Sequence, residues 1–84
     1  MGIVTMQDAL GTTLRTLRQE QGRSLKDVAA ATSTTFSHIA YIERGLKQAG
    51  SEMLWDICCA LDVTLSAVLE RACDMLDQDT TNTN

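Results

Sequence analysis

Four hydroxyl residues in a row, Thr32-Ser33-Thr34-Thr35, interrupt an apolar helical pattern, and nothing else in the chain constrains its fold so tightly. Such side chains bond nearby backbone and favour turns and caps over helix interiors. Upstream, Ser24 begins a helix, with Asp27 three residues on as a variant capping box in which Asp replaces the more usual Glu. Val28 and Ala31 give this helix an apolar face, and Leu25 adds an apolar residue near its start. Downstream, Thr35 caps a further helix, Phe36 to Arg44, closed by Gly45 and directing Ile39 and Ile42 inward. The run therefore sets two short helices side by side with a tight turn between them.

The flanking sequence repeats the helical theme. Leu10, Leu14 and Leu17 recur at helical spacing in a first helix from about Asp8 to Gln21, leaving Arg15, Gln19 and Glu20 outside, and Gly22 stops it. Leu46 to Gly50 reads as a loop. A fourth helix, capped by Gly50 or Ser51, carries Leu54, Ile57, Cys58 and Leu61. After Asp62-Val63, Thr64 caps a fifth helix whose stripe is Leu65, Val68, Leu69, Ala72, Met75 and Leu76. The expected fold class is all-α, five helices in one domain over residues 8–72, a helix extension over 73–78 and a disordered polar tail over 79–84. With no proline and only five glycines, the composition favours helices over a strand-rich fold.

Net charge is −4, an awkward sign for a nucleic-acid binder, but it is unevenly spread. Residues 1–50 carry six basic and four acidic side chains, whereas residues 51–84 carry Arg71 against seven acids. The asymmetry implies one face for phosphate and another for something else. No apolar run approaches the roughly 18 residues that span a membrane, and Met1 to Met6 has no basic residue, so a cytoplasmic location is expected. Cys58, Cys59 and Cys73 make no disulfide framework, and one His without a Cys-x-x-Cys pair makes no zinc site. They are read as buried thiols.

Two short helices joined by a turn and closed by Glu43-Arg44-Gly45 form a helix-turn-helix over residues 25–44. The segment Leu25 to Gly45 resembles the lambda-repressor/Cro class of XRE-type regulators. Ala29 stands at that family's small crossing residue, Ile39 and Ile42 at its buried positions, and Glu43 and Gly45 at its closing Glu-x-Gly. More narrowly, Gln21-Gly-Arg-Ser-Leu-Lys-Asp-Val-Ala, Glu43-Arg-Gly-Leu-Lys-Gln-Ala and Cys58-Cys-Ala-Leu-Asp-Val resemble the ClgR-type regulators of Clp-protease genes. The resemblance implies a lambda-repressor-like DNA-binding fold and an activator of protease and stress genes. It also implies an ion pair of Arg18 with Glu43 between the first and third helices. In the family's pattern the turn position at Ser33 is usually Gly, so Ser33 must take a left-handed backbone or the turn must rearrange.

A helix fits the major groove of B-DNA, about 12 Å wide, and its first turns meet base edges. Phe36, Ser37, Ala40, Tyr41 and Arg44 are the expected outward positions, with Thr35 beside the DNA backbone. Phe36 and the Ala40 methyl can pack on thymine methyls, and Ser37 and Tyr41 can bond base edges or phosphate. Backbone N–H groups near Ser24 and Leu25 are expected to hold a phosphate. Arg44, Lys47 and Gln48 are further phosphate candidates, and Lys26 a weaker one. His38 is expected to flank the groove, and Trp55 to be either core or interface.

The expected function is sequence-specific transcription regulation on double-stranded DNA by a homodimer on a palindromic operator. Ala72, Cys73, Met75 and Leu76 of the last helix are the expected dimer contact. The alternative is a protein-interaction module, an antitoxin or adaptor, with a degenerate helix-turn-helix. No nucleophile–base set, Gly-rich phosphate loop or metal cluster suggests an enzyme, and no cofactor or small-molecule ligand is expected.

Overall fold

The computed structural model describes the backbone of residues 5–82 and the side chains of residues 5–78. Five helices follow one another: α1 Met6–Glu20, α2 Leu25–Ala30, α3 Phe36–Glu43, α4 Ser51–Ala60 and α5 Leu65–Asn82. No strand occurs among the described residues, in agreement with the all-α expectation.

Local chemistry sets each start. The Thr5 hydroxyl accepts from the Asp8 N–H at 3.1 Å while the Asp8 carboxylate accepts from the Thr5 N–H at 3.3 Å. Asp8 is thus the third residue of α1 and closes a capping box, and the helix begins two residues before the expected start at Asp8. Ser24 and Asp27 form the same reciprocal pair at 3.0 and 2.8 Å, as their spacing implied. Thr35 Oγ1 accepts from the His38 N–H, and Thr64 Oγ1 from the Ala67 N–H. Gly50 caps α4 without a side-chain bond.

Three helices also end alike. Gly22, Gly45 and Asp62 take φ of 67°, 73° and 57°. The residue after each reaches back five positions: Arg23 N–H to the Arg18 carbonyl, Leu46 to Tyr41, and Val63 to Cys58, at 3.1, 2.9 and 3.0 Å. These are Schellman closures, and Asp62 makes its own without glycine because a short polar side chain tolerates the left-handed region. Helix α2 ends differently. Ala31 and Thr32 donate to the carbonyls of Val28 and Ala29, and Ser33 does not adopt positive φ. The turn has rearranged rather than strained. Ala31, expected on the apolar face, is exposed at the helix end, and Ala29 packs against the core instead.

Helix α1 is central, packing on α3 and α5, while α2 lies on α3 and α4 on α5. Leu14, Val28, Ile39, Ile42, Leu54, Ile57, Cys58, Leu61 and Val68 make the core. Two further buried positions in α1 carry no apolar signal. Thr13 donates its hydroxyl to the Ala9 carbonyl at 2.8 Å. At Gly11 an added Cβ would lie 2.7 Å from the Glu43 carbonyl oxygen and closer still to that of Ile42. Only a residue without a side chain lets α1 meet the end of α3 backbone to backbone.

The C-terminal half departs from expectation in three ways. Helix α5 continues to Asn82, so residues 79–82 of the expected disordered tail are helical, and residues 83–84 lie outside the described residues. Ala72 is 0% exposed, and Met75 and Leu76 are half-buried. Of the stripe expected to face a partner, Ala72 is therefore spent within the monomer, while Cys73 is exposed and Met75 and Leu76 stay partly open. Of the three cysteines read as buried, only Cys58 is; Cys59 and Cys73 are exposed. Burial first, and the neighbouring Cys59 second, push the Cys58 thiol above its ordinary pKa.

Candidate nucleic-acid interface

How the outer face of α3 is presented depends on the angle at which the helix is held. Arg18 Nε donates to Glu43 Oε2 at 2.7 Å and Arg18 Nη2 to Oε1 at 3.0 Å, while Nη1 donates to the Arg23 carbonyl at 2.8 Å. Both side chains are nearly buried, and the fork locks α1 to the C-terminal end of α3 while fixing the loop before α2. Hydrogen bonding to Glu43 raises the Arg18 pKa above its usual value, outweighing the desolvation that opposes it.

Further bonds tie the loops. Gln7 Nε2 donates to the Gly45 carbonyl at 2.7 Å, anchoring the segment after α3 to the first turn of α1. Gln21 Nε2 donates to the Leu61 carbonyl at 2.6 Å, and Arg23 donates to the Ala60 carbonyl. These donors satisfy carbonyls at the end of α4, where a cation is also favoured by the helix dipole.

On this frame α3 divides as its sequence implied. Ile39 and Ile42 are buried, and Ser37 and Arg44 are exposed. Phe36 and Tyr41 are 48% and 43% exposed. Ala40 is half-buried in a groove shared with Arg15, Arg18, Leu25, Glu43 and Arg44. Thr35, Ser37, His38, Tyr41 and Lys47 line a second cleft between α3 and the loop that follows. Gln48 is exposed beside Lys47. The structure thus brings Thr35, Phe36, Ser37, Tyr41 and Lys47 to the α3 surface.

The start of α2 is more constrained. Its capping box occupies the N–H groups of Ser24 and Asp27, leaving those of Leu25 and Lys26 as the donors without an intrahelical partner. The Asp27 carboxylate is held below its ordinary pKa by the hydrogen bond from the Ser24 backbone, then by the Ser24 side chain. The half-buried Leu25 side chain packs on the core and lines the groove beside Ala40, while its backbone N–H faces outward as a donor.

Sequence reasoning passed over several residues of this surface. Arg15 joins Arg44 at the first groove, a proximity that no local signal carries. Leu46 is 61% exposed on the loop after Gly45, against the usual sense of a leucine. Trp55, left between core and interface, is 57% exposed and lines a shallow cleft with Ser51, Glu52 and Leu65. Among the described residues no cluster of His, Cys, Asp or Glu could hold a metal, and no helix is long and apolar enough to cross a membrane.

A two-helix reader braced by a buried ion pair defines a class, and residues 14–68 match the family model described as helix-turn-helix: the chain belongs to this family, in its XRE type. It is similar to the transcriptional regulator ClgR of two strains of Mycobacterium tuberculosis, 39% identical over 64 residues, 76% of this chain and 57% of the relative. The chain therefore spans a little over half the length of these curated relatives. Crystal structures of the clp gene regulator ClgR from Corynebacterium glutamicum are similar throughout the fold. One has a TM-score of 0.82 at 32% identity, covering 86% of this chain and 94% of that one. Another has a TM-score of 0.90 at 28% identity, covering 98% and 87%. The family and these relatives are regulators rather than enzymes.

Proposed function

We propose that this protein is a sequence-specific transcription regulator that places α3 in the major groove of a palindromic operator as a homodimer. By likeness to the Clp gene regulators, its targets are Clp-protease and stress genes and its action is activation. The observation that carries the reading is the division of α3. Ile39, Ile42 and Glu43 are buried in a braced frame, while Phe36, Ser37, Tyr41 and Arg44 are left to solvent. The exposed residues offer an aromatic face, two hydroxyls and one cation, a set suited to thymine methyls and single hydrogen bonds. No Gln, Asn or Arg stands in the first turn, so readout leans on groove shape as well. Arg44, Lys47 and Gln48, with the free N–H groups of Leu25 and Lys26, supply the backbone contacts.

The dimer surface follows from what the fold leaves uncovered. With Ala72 in the core, the apolar side chains still open on α5 include Leu69 and Cys73, one helical turn apart. Leu65 precedes them by a turn and lines the cleft beside Trp55. Trp55, Leu65, Leu69 and Cys73 are thus the contact we assign, with Met75 and Leu76 at its edge. A twofold pairing matches the symmetry of a palindrome. Work on chromosomal DNA places such a protein in the cytoplasm.

The test is selection of duplexes from a random-sequence pool by the full chain. The expected result is an enriched palindrome whose half-sites lie about one helical turn apart, with binding that weakens steeply as salt rises. Ser37→Ala and Tyr41→Ala should each lower affinity for that duplex about two- to tenfold, the loss of one single hydrogen bond worth about 0.5–1.5 kcal/mol. Their circular dichroism and Tm should stay unchanged. A pool that yields no preferred sequence overturns the reading.

A further inference from the structure

We propose that His38 contacts a backbone phosphate of the bound duplex, completing a phosphate seat between α3 and the loop after it; the inference rests on the DNA-binding reading above. The seat is the cleft lined by Thr35, Ser37, His38, Tyr41 and Lys47. Each of these side chains carries a hydrogen-bond donor, Lys47 adds a positive charge, and no carboxylate lines the cleft. In a chain of net charge −4, an acid-free cleft with five donors is a surface fitted to an anion.

The imidazole is held for this task. Thr34 Oγ1 lies 2.9 Å from His38 Nδ1, so one ring nitrogen is engaged and the half-buried ring is fixed through it. The bonding capacity of Nε2 is left for a ligand. With the ring protonated, both nitrogens donate: Nδ1–H to the Thr34 oxygen and Nε2–H to a phosphate oxygen, a charge-assisted bond. The other titratable groups facing His38 are Tyr41, from the same helix, and Lys47, from the loop. A phosphate at Nε2 is bonded more strongly by the doubly protonated ring, so affinity gains a component that grows as pH falls.

The test uses the full chain and a labelled duplex taken from the selection described above, titrated by fluorescence anisotropy from 50 to 200 mM salt at pH 8 and pH 5.5. For the wild type, the slope of log affinity against log salt should steepen at the lower pH by up to about 0.9, one phosphate contact, or about 3.5-fold more loss across that salt range. His38→Gln, and His38→Asn as a second variant, should give the same slope at both pH values. Thr34→Val should shrink the pH-dependent part, and Lys47→Gln should lower the slope equally at both. Circular dichroism shows which variants are folded. A wild type and a folded His38 variant with the same pH dependence overturn the proposal while leaving DNA binding intact. A selection that returns no duplex overturns DNA binding and the seat together.

Discussion

At the scale of single residues, two positions in α1 decide how α3 is presented. Arg18 reaches Glu43 through two bonds and the Arg23 carbonyl through a third, in a nearly buried setting. Removing the cation would strand a buried carboxylate, so Arg18→Ala should cost about 3 kcal/mol, lowering Tm by roughly 10–20 °C in a domain of this size. Arg18→Lys keeps the charge without the fork and should lose about half as much; thermal melts followed by circular dichroism distinguish the three proteins. Gly11 acts by having no side chain. Gly11→Ala would press a methyl against the carbonyls of Ile42 and Glu43, which are backbone and cannot turn aside. A loss of about 1–3 kcal/mol is expected despite the better helix propensity of alanine, measured by urea unfolding. Arg18 was legible in the sequence through its family likeness. Gly11 was not, because a close approach between helices leaves no periodic trace in either one.

At the scale of elements, most helix caps are local chemistry and were legible, although the Thr5–Asp8 box at the start of α1 and the reach of α5 to Asn82 were not. Ser24 with Asp27, Thr35, Thr64, Gly22 and Gly45 all act where their types and spacing placed them. Ser33 was the open case, and the chain resolved it by closing α2 with three-residue turns in place of a left-handed residue. The capping box of α2 has a pH signature. Hydrogen bonding depresses the Asp27 pKa, so its stabilisation is complete above the ordinary carboxylate range, near pH 4, and is lost as pH falls through the depressed value. The Tm gap between wild type and Asp27→Ala should therefore be constant from pH 8 to about 5 and close below about pH 4. A gap that persists at pH 2 would mean that the carboxylate charge does not act in the cap.

At the scale of the whole molecule, the two halves of the chain have different charge and different work. Residues 1–50 carry the excess of cations, with Arg23, Arg44 and Lys47 in the loops, and the exposed face of α3; residues 51–84 carry most of the acids and the exposed side chains of Trp55, Leu69 and Cys73, with Leu65 half-buried against the core. Trp55→Glu together with Leu69→Glu should convert a dimer to a monomer by light scattering at micromolar concentration with little change in helical content. A wild type already monomeric under those conditions would remove the dimer from the reading. The acidic half also repels DNA phosphate, which orients the approach of the basic face.

What the sequence by itself determined was the set of elements, their caps, the inward pair Ile39 and Ile42, and the outward set on α3. These follow from forces acting within a few residues: hydroxyls and carboxylates bonding neighbouring N–H groups, glycine accepting positive φ, and apolar side chains recurring at the helical period. The tertiary structure decided which apolar residues of α4 and α5 are spent on the core and which remain open. It buried Ala72, half-buried Met75 and Leu76, and left Trp55 and Cys73 outside. It also set Arg15 beside Arg44 and His38 beside Lys47. A stripe on a helix states that one face is buried without stating how far along it the neighbour reaches, and that length is fixed by where α1 crosses α5.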